Sequence, residues 1–348
     1  MRSAGSDDRP PQTLARTLRY DRRMLALLLL LSHAAISDAP NPPGGALATD
    51  DRVRVLVSTD AGGSDPDDLQ SLVHLFVYAD EFDLEGLVSS PPKQGRAADI
   101  LRVVDAYERD YPTLATHSDR YPTPERLREI TVQGAEDPAP DAGWSQPTDG
   151  SRLLIERAMA DDPRPLYVLV WGSLTDVAQA LHDAPEIKRR IRVFFIASWN
   201  WKMDRAAVAY VEREHADLWM VFSDRTFRGW YKGGDQSEGY GNGSFVVEHV
   251  AGHGALGDYF ASLRPDDGGG ERFGVGEIKM GDTPSLAWLL RGDADDPSQP
   301  SWGGQYVRVD GRPHWWTDRK DDPEQTVSRW RRAYLDDFAA RMDRCVTE

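Results

Sequence analysis

The chain has 348 residues, a formal net charge of −16, 40% hydrophobic residues and 28% charged residues. That length suits one large α/β domain or two small ones, and the composition is that of a globular protein. The negative balance argues against a nucleic-acid backbone as partner, whose phosphates it would repel, and the single cysteine, Cys345, excludes an internal disulfide.

In chain order, Arg19, Arg22 and Arg23 precede an apolar run at 25–31, and small residues follow at Ala34, Ala35 and Ser37. This is the layout of a secretory signal peptide with a long n-region, expected over residues 1–37, with a Pro/Gly linker over 38–50. The run is far short of the roughly 20 residues that span a bilayer. The mature chain is therefore expected to be secreted or periplasmic, with no stable membrane span.

A single α/β domain is expected over 51–345. Residues 53–58 form a continuous apolar, β-branched run, as in a strand buried on both faces. Residues 67–78 place Leu69, Leu72, Val73, Phe76 and Val77 at helical spacing. A second strand at 84–88 and helix at 97–107 follow, with further strands at 166–170, 193–196 and 218–222. This alternation predicts a mostly parallel sheet flanked by helices, Rossmann-like in its layout. Residues 120–149 and 264–271, rich in Pro, Gly and Asp, are expected to be loops.

The densest chemistry lies in VLVSTDAGGSDPDDLQSL, residues 55–72. Asp60 stands just beyond the first strand, at the edge where open parallel sheets bind ligands. Gly62 and Gly63 permit a sharp turn. Asp67 and Asp68 open the next helix, where the macrodipole tolerates negative charge. Neighbouring helical residues point about 100° apart, so one carboxylate can face a cation and the other a substrate. Crowded carboxylates suit a hard divalent ion, Ca²⁺ before Mg²⁺. The competing reading is an N-cap cluster, with Ser64 or Asp65 capping and Pro66 in the first turn. Three more segments bear on the choice: LVWGSLTDVAQAL from Leu169, read as a strand end, tight turn and helix; IASWNWKMD from Ile196, read as a polar, aromatic loop after a strand; and KMGDTPSLAWLL from Lys279, which sets Asp282 before an apolar helix at an expected strand-to-helix junction.

Taken together in this order, the segments resemble the nucleoside hydrolase superfamily, most closely the nucleoside-hydrolase-like domain of exported cellulose-binding proteins. The resemblance covers roughly residues 53–310. It implies Ca²⁺ held by Asp60, Asp68 and Asp282 with the backbone carbonyl of Trp171, and Asp67 as the base that activates water. It places Asn200 and Asp204 where the family holds ribose hydroxyls. Read from the residues themselves, Trp199 and Trp201 flank Asn200, and Trp199 is the candidate to stack on a sugar or base, with one of the two expected in the core. The implied activity is calcium-dependent hydrolysis of N-glycosyl bonds in ribosyl-type, nucleoside-like substrates. The alternative is an exported carbohydrate-binding module that retains the metal site without turnover. The partner in either case is a small-molecule riboside or a carbohydrate. The sequence departs from the family pattern at three places. Asp65 is an additional carboxylate in a lengthened loop, Ser58 replaces the first acidic residue, and Gly281 stands where several members carry a histidine before the late aspartate.

Other residues are assigned to packing. His74 is expected to be a hydrogen-bonded core histidine. Trp219, Trp230 and Tyr231 are expected in the core, and His249 with His253 is not expected to form a zinc pair.

Overall fold

The computed structural model describes residues 52–62, 65–92, 95–237, 239–264, 274 and 276–347. The expected signal segment and linker, and Ser64, lie outside the described residues. So does most of the expected loop at 264–271.

The strands are β1 (Val53–Thr59), β2 (Phe82–Ser89), β3 (Thr131–Gln133), β4 (Leu166–Val170), β5 (Ile191–Ile196), β6 (Trp219–Ser223), β7 (Tyr306–Val309) and β8 (Arg312–Asp318). They form one eight-stranded sheet in the order β3-β2-β1-β4-β5-β6-β8-β7. Every neighbouring pair is parallel except β7 with β8, an antiparallel hairpin at the edge. The expected α/β class with a mostly parallel sheet is therefore the observed one.

Alternation along the strands builds the two faces. Val55, Val57, Tyr167, Leu169, Phe194 and Ile196 point into one core. Leu56, Val168, Val170, Val193 and Phe195 point into the other. A strand buried on both sides must be apolar at successive positions, which is why these runs are legible in sequence. The first core is covered by α1 (Asp67–Val77), α2 (Ala97–His117) and the C-terminal α12 (Arg331–Met342), among others. The second is covered by α4 (Asp149–Ala158), α5 (Thr175–Asp183) and α7 (Arg205–Glu214).

Three expectations need correction. Residues 120–149 are not loop throughout: α3 (Pro124–Glu129) and the edge strand β3 form within them, and Asp149 is the first residue of α4. Thr123 caps α3 by accepting the Arg126 N–H, and Pro124 sits at its start, where a missing N–H costs nothing. The segment after β5 is a short helix, α6 (Ser198–Met203), rather than a loop. Asp282 does not follow a strand; it arrives on an irregular segment and becomes the N-cap of α10 (Thr283–Leu290).

The order of the strands reverses beside β1. The chain moves outward from β1 through β2 to β3, then returns to lay β4 on the other side of β1. The helix after β1 packs on one face and the helix after β4 on the other, and this switch marks the crevice at the sheet's carboxyl edge where such sheets bind ligands.

Candidate functional site

Asp60 leaves β1 into that crevice, and the β4 turn closes on it. The Trp171 N–H donates to the Ser58 carbonyl at 2.7 Å, continuing the pairing of β4 with β1. Gly172 comes so near that a Cβ there would lie 2.4 Å from Ser90 Oγ and 3.0 Å from Asp60 Cβ. Only glycine fits so close to the Asp60 backbone.

The helix brings two more carboxylates. Thr59 Oγ1 donates to Asp68 Oδ1 while accepting the Ala61 N–H at 3.1 Å, tying the helix start to the end of β1. The capping expected at this helix is weak. Pro66 occupies the N-cap with no side-chain cap, and Asp65 Oδ1 accepts the Asp67 N–H only at 3.3 Å. N-capping alone therefore leaves Asp60, Asp67 and Asp68 unexplained.

Asp282 completes the group from far along the chain. Gln70 of α1 holds its approach: Nε2 donates to the Glu277 carbonyl at 2.9 Å, and Oε1 accepts the Lys279 N–H at 2.7 Å. The Trp171 indole donates to Ser285 Oγ at 2.8 Å, and that hydroxyl donates to the Asp282 carbonyl at 2.7 Å. The β4 turn and the start of α10 are thereby fastened together around the crevice. Gly281 lies against Asp67, since a Cβ there would stand 3.0 Å from Asp67 Oδ2.

As a result, one carboxylate oxygen each from Asp67, Asp68 and Asp282 lies within 4.8 Å of the others. Asp60 does not supply one of these three converging oxygens; it stands beside them and interacts with Asp67 and Asp68. Removal from water, then repulsion by Asp67, pushes Asp60 up to about 8. Asp67, Asp68 and Asp282 are all raised well above the usual carboxylate range, by burial first and then by their neighbours. Asp282 is 2% exposed, and its Oδ2 has no hydrogen-bond partner. A buried polar atom without a partner is costly unless a ligand satisfies it. Converging hard oxygens with one such orphan fit a divalent cation of the Ca²⁺ or Mg²⁺ class.

The remaining expected residues fall as follows. Asn200 is buried, and its Nδ2 donates to the carbonyls of Trp171 (2.6 Å) and Ile196 (3.0 Å), so it is coupled to the β4 turn. Trp199 is 63% exposed. Asp204 has both oxygens engaged by the protein, from Thr175 Oγ1 at 2.7 Å and the Ala139 N–H at 3.2 Å. Lys279, Gln70 and Ser285 carried no assignment from sequence. Lys279 pairs with Asp65, and the two are distant in the chain, so no local pattern marks them. His74 is in the core as expected, but its Nδ1 lacks a hydrogen-bond partner, and the ring packs against Tyr78, Trp230 and Phe338. Trp230 and Tyr231 are buried, and Trp219 stacks on Trp288. His249 and His253 lie beside Glu248 and Asp343 and are absent from the converging group.

The family described as "Cellulose-binding Sde182, nucleoside hydrolase-like domain" matches residues 54–306, a span that contains all four clustered aspartates. The chain belongs to this family. Among solved structures, it is similar to a nucleoside hydrolase-related hypothetical protein from Saccharophagus degradans that is associated with carbohydrate metabolism. The two are 27% identical with a TM-score of 0.66, over 85% of this chain and 72% of that one. The plant nucleoside hydrolase PpNRh1 is 12% identical at a TM-score of 0.50, over 84% of this chain and 99% of its own. The type III effector protein XopQ, complexed with adenosine diphosphate ribose, is 15% identical at 0.52, over 85% and 94% respectively. The last two share the fold. No curated protein matches the sequence. Among the described residues, no helix is long and apolar enough to cross a membrane.

Proposed function

We propose that this chain is an exported, calcium-dependent hydrolase of N-glycosyl bonds in ribosyl-type substrates. The observation that carries the reading is the convergence of Asp67, Asp68 and Asp282 in the crevice, with Asp60 beside them and the buried Oδ2 of Asp282 unpaired. Asp60, Asp68 and Asp282, with the Trp171 carbonyl, would hold the ion. When bound, Ca²⁺ supplies positive charge that makes a coordinated water more acidic.

The protein's own groups then have distinct tasks. Asp67 accepts the proton of the attacking water, whose oxygen adds to the anomeric carbon as the C–N bond breaks and its electron pair leaves with the base. The surrounding carboxylates favour the positive charge that develops on the sugar in an oxocarbenium-like transition state. Both Nδ2 hydrogens of Asn200 are used by carbonyls, which presents its Oδ1 to a sugar hydroxyl. Trp199 offers an exposed ring for stacking. Asp204 acts through its loop, fixing the segment after β3 to α5.

Gly281 leaves no side chain beside Asp282 to protonate the leaving group. Substrates with a cationic or electron-poor leaving group should therefore react best. Ribose release from nicotinamide riboside, 4-nitrophenyl riboside, inosine and uridine, each with Ca²⁺, tests the reading; the first two should exceed the others in kcat/KM. Equal turnover of inosine would place an acid in the site that this reading lacks.

A second reading, a carbohydrate-binding module without turnover, is favoured by the exposed Trp199 and by the family's description as cellulose-binding. Retention on insoluble polysaccharide, with all four ribosides inert and Ca²⁺ still bound, would establish it in place of the first.

A further inference from the structure

Asp65 is the carboxylate that neither reading uses, and Lys279 is the cation that no sequence pattern announces. The Lys279 backbone cannot drift, because Gln70 Oε1 accepts its N–H at 2.7 Å and the Gly281 N–H donates to its carbonyl at 2.6 Å. Its side chain is 17% exposed and runs to Asp65, with which Nζ forms an ion pair across the start of α1. Burial disfavours the ammonium, yet Asp67, Asp65 and Asp282 together hold it more firmly protonated than an ordinary lysine. Lys279 therefore feels two members of the acidic cluster while its partner Asp65 remains half-exposed at the edge.

We propose that Lys279 is the built-in counter-cation of the acidic cluster, held off the ligand oxygens by Asp65, and that it sets the affinity of the site for a divalent ion. The inference rests on the cation-site reading above. A like charge fixed beside a partly buried cation opposes its binding, and salt screens such a pair far less than a surface one. The two members of the ion pair must then act with opposite sign. Removing the ammonium favours the cation. Removing Asp65 subtracts a negative charge and releases the ammonium toward Asp67, and both effects disfavour the cation.

The test is calorimetric titration of Ca²⁺ into the chelator-treated full chain, with metal-free melting curves to show that each variant folds. Lys279→Met should lower the Kd for Ca²⁺ by about tenfold or more, equivalent to about 1.4 kcal/mol. Lys279→Arg should stay near wild type, Asp65→Asn should raise Kd, and the double variant should fall between the two singles. Lys279→Gln repeats the charge removal if Lys279→Met does not fold. If both single variants weaken binding, the pair is only a mechanical clasp and the inference is overturned. An unchanged Kd in Lys279→Met overturns it as well, with the cation site itself intact. If the wild-type chain takes up no Ca²⁺, the cation-site reading falls, and this inference with it.

Discussion

Helix α1 carries buried acidic residues at both of its ends, in opposite circumstances. Just past its C-terminus, Asp80 is 4% exposed and receives Arg341 at 2.6 Å and Arg344 at 3.3 Å, while Arg341 also pairs with Glu81. The same guanidinium lies 4.6 Å from the centre of the Tyr78 ring. At the N-terminus, Asp67, Asp68 and Asp282 converge with Asp60 beside them, and among the described residues Lys279, itself paired with Asp65, is the one cation near them. Charges buried for structure are neutralised within the chain, since an unpaired one is expensive. A cluster left short of positive charge is prepared for a charge from outside. One end of α1 is fastened to the C-terminal helix α12, and the other carries the cluster proposed to hold the ion.

The largest expected effect is on chemistry. Asp67→Asn should reduce riboside turnover by about 10²–10⁴-fold, the usual loss when a general base is removed, with Ca²⁺ binding retained. Near-normal kcat would return the role of base to another carboxylate. At the matched end, Asp80→Ala should destabilise the fold by about 3 kcal/mol in urea unfolding, because it strips Arg341 and Arg344 of a buried partner. A change under about 0.5 kcal/mol would mean that Glu81 alone suffices and would blur the contrast. The unmatched end should respond with the other sign. Asp282→Asn should stabilise the metal-free chain by about 1 kcal/mol through relief of repulsion, as substitutions at strained functional sites commonly do.

His74 sits between the two ends, and its expected effect depends on pH. Burial, then the nearby positive charge of Arg341, lowers its imidazole from 6.5 to about 3. Below pH 6.5 the unfolded chain takes up a proton that the folded chain refuses until about pH 3, so stability is full above 6.5 and falls through that window. The loss between pH 7 and pH 5 should be about 2 kcal/mol. His74→Phe, which keeps an aromatic ring against Tyr78 and Phe338, should lose about that much less over the same interval. Parallel pH profiles for variant and wild type would remove His74 from the account.

How much of this was legible in sequence follows from where the interactions lie. The central strands could be read because burial on both faces demands uninterrupted apolar runs such as residues 53–58. Edge strands carry no such demand. Arg312–Asp318 sets exposed Pro313 and His314 before buried Trp315 and Trp316, with neither alternation nor a long apolar run, and β3 is three half-buried residues, so neither stood out. The acidic loop and the Gly172 turn were visible because their residues are consecutive. The approach to Asp282 was misjudged because Gln70, 209 residues away from Lys279, fixes it, and no local pattern records that. The Asp65–Lys279 pair spans 214 residues and was hidden for the same reason.

The central claim is that Asp60, Asp68 and Asp282 hold one divalent cation beside Asp67, and Ca²⁺ titration of the chelator-treated wild-type chain beside Asp282→Asn tests it most directly. The account predicts one Ca²⁺ per wild-type chain and a stabilisation of about 2.7 kcal/mol at 100 times Kd, with both lost in Asp282→Asn. No uptake and no stabilisation by Ca²⁺ in the wild type, or equal uptake by the folded variant, would contradict it.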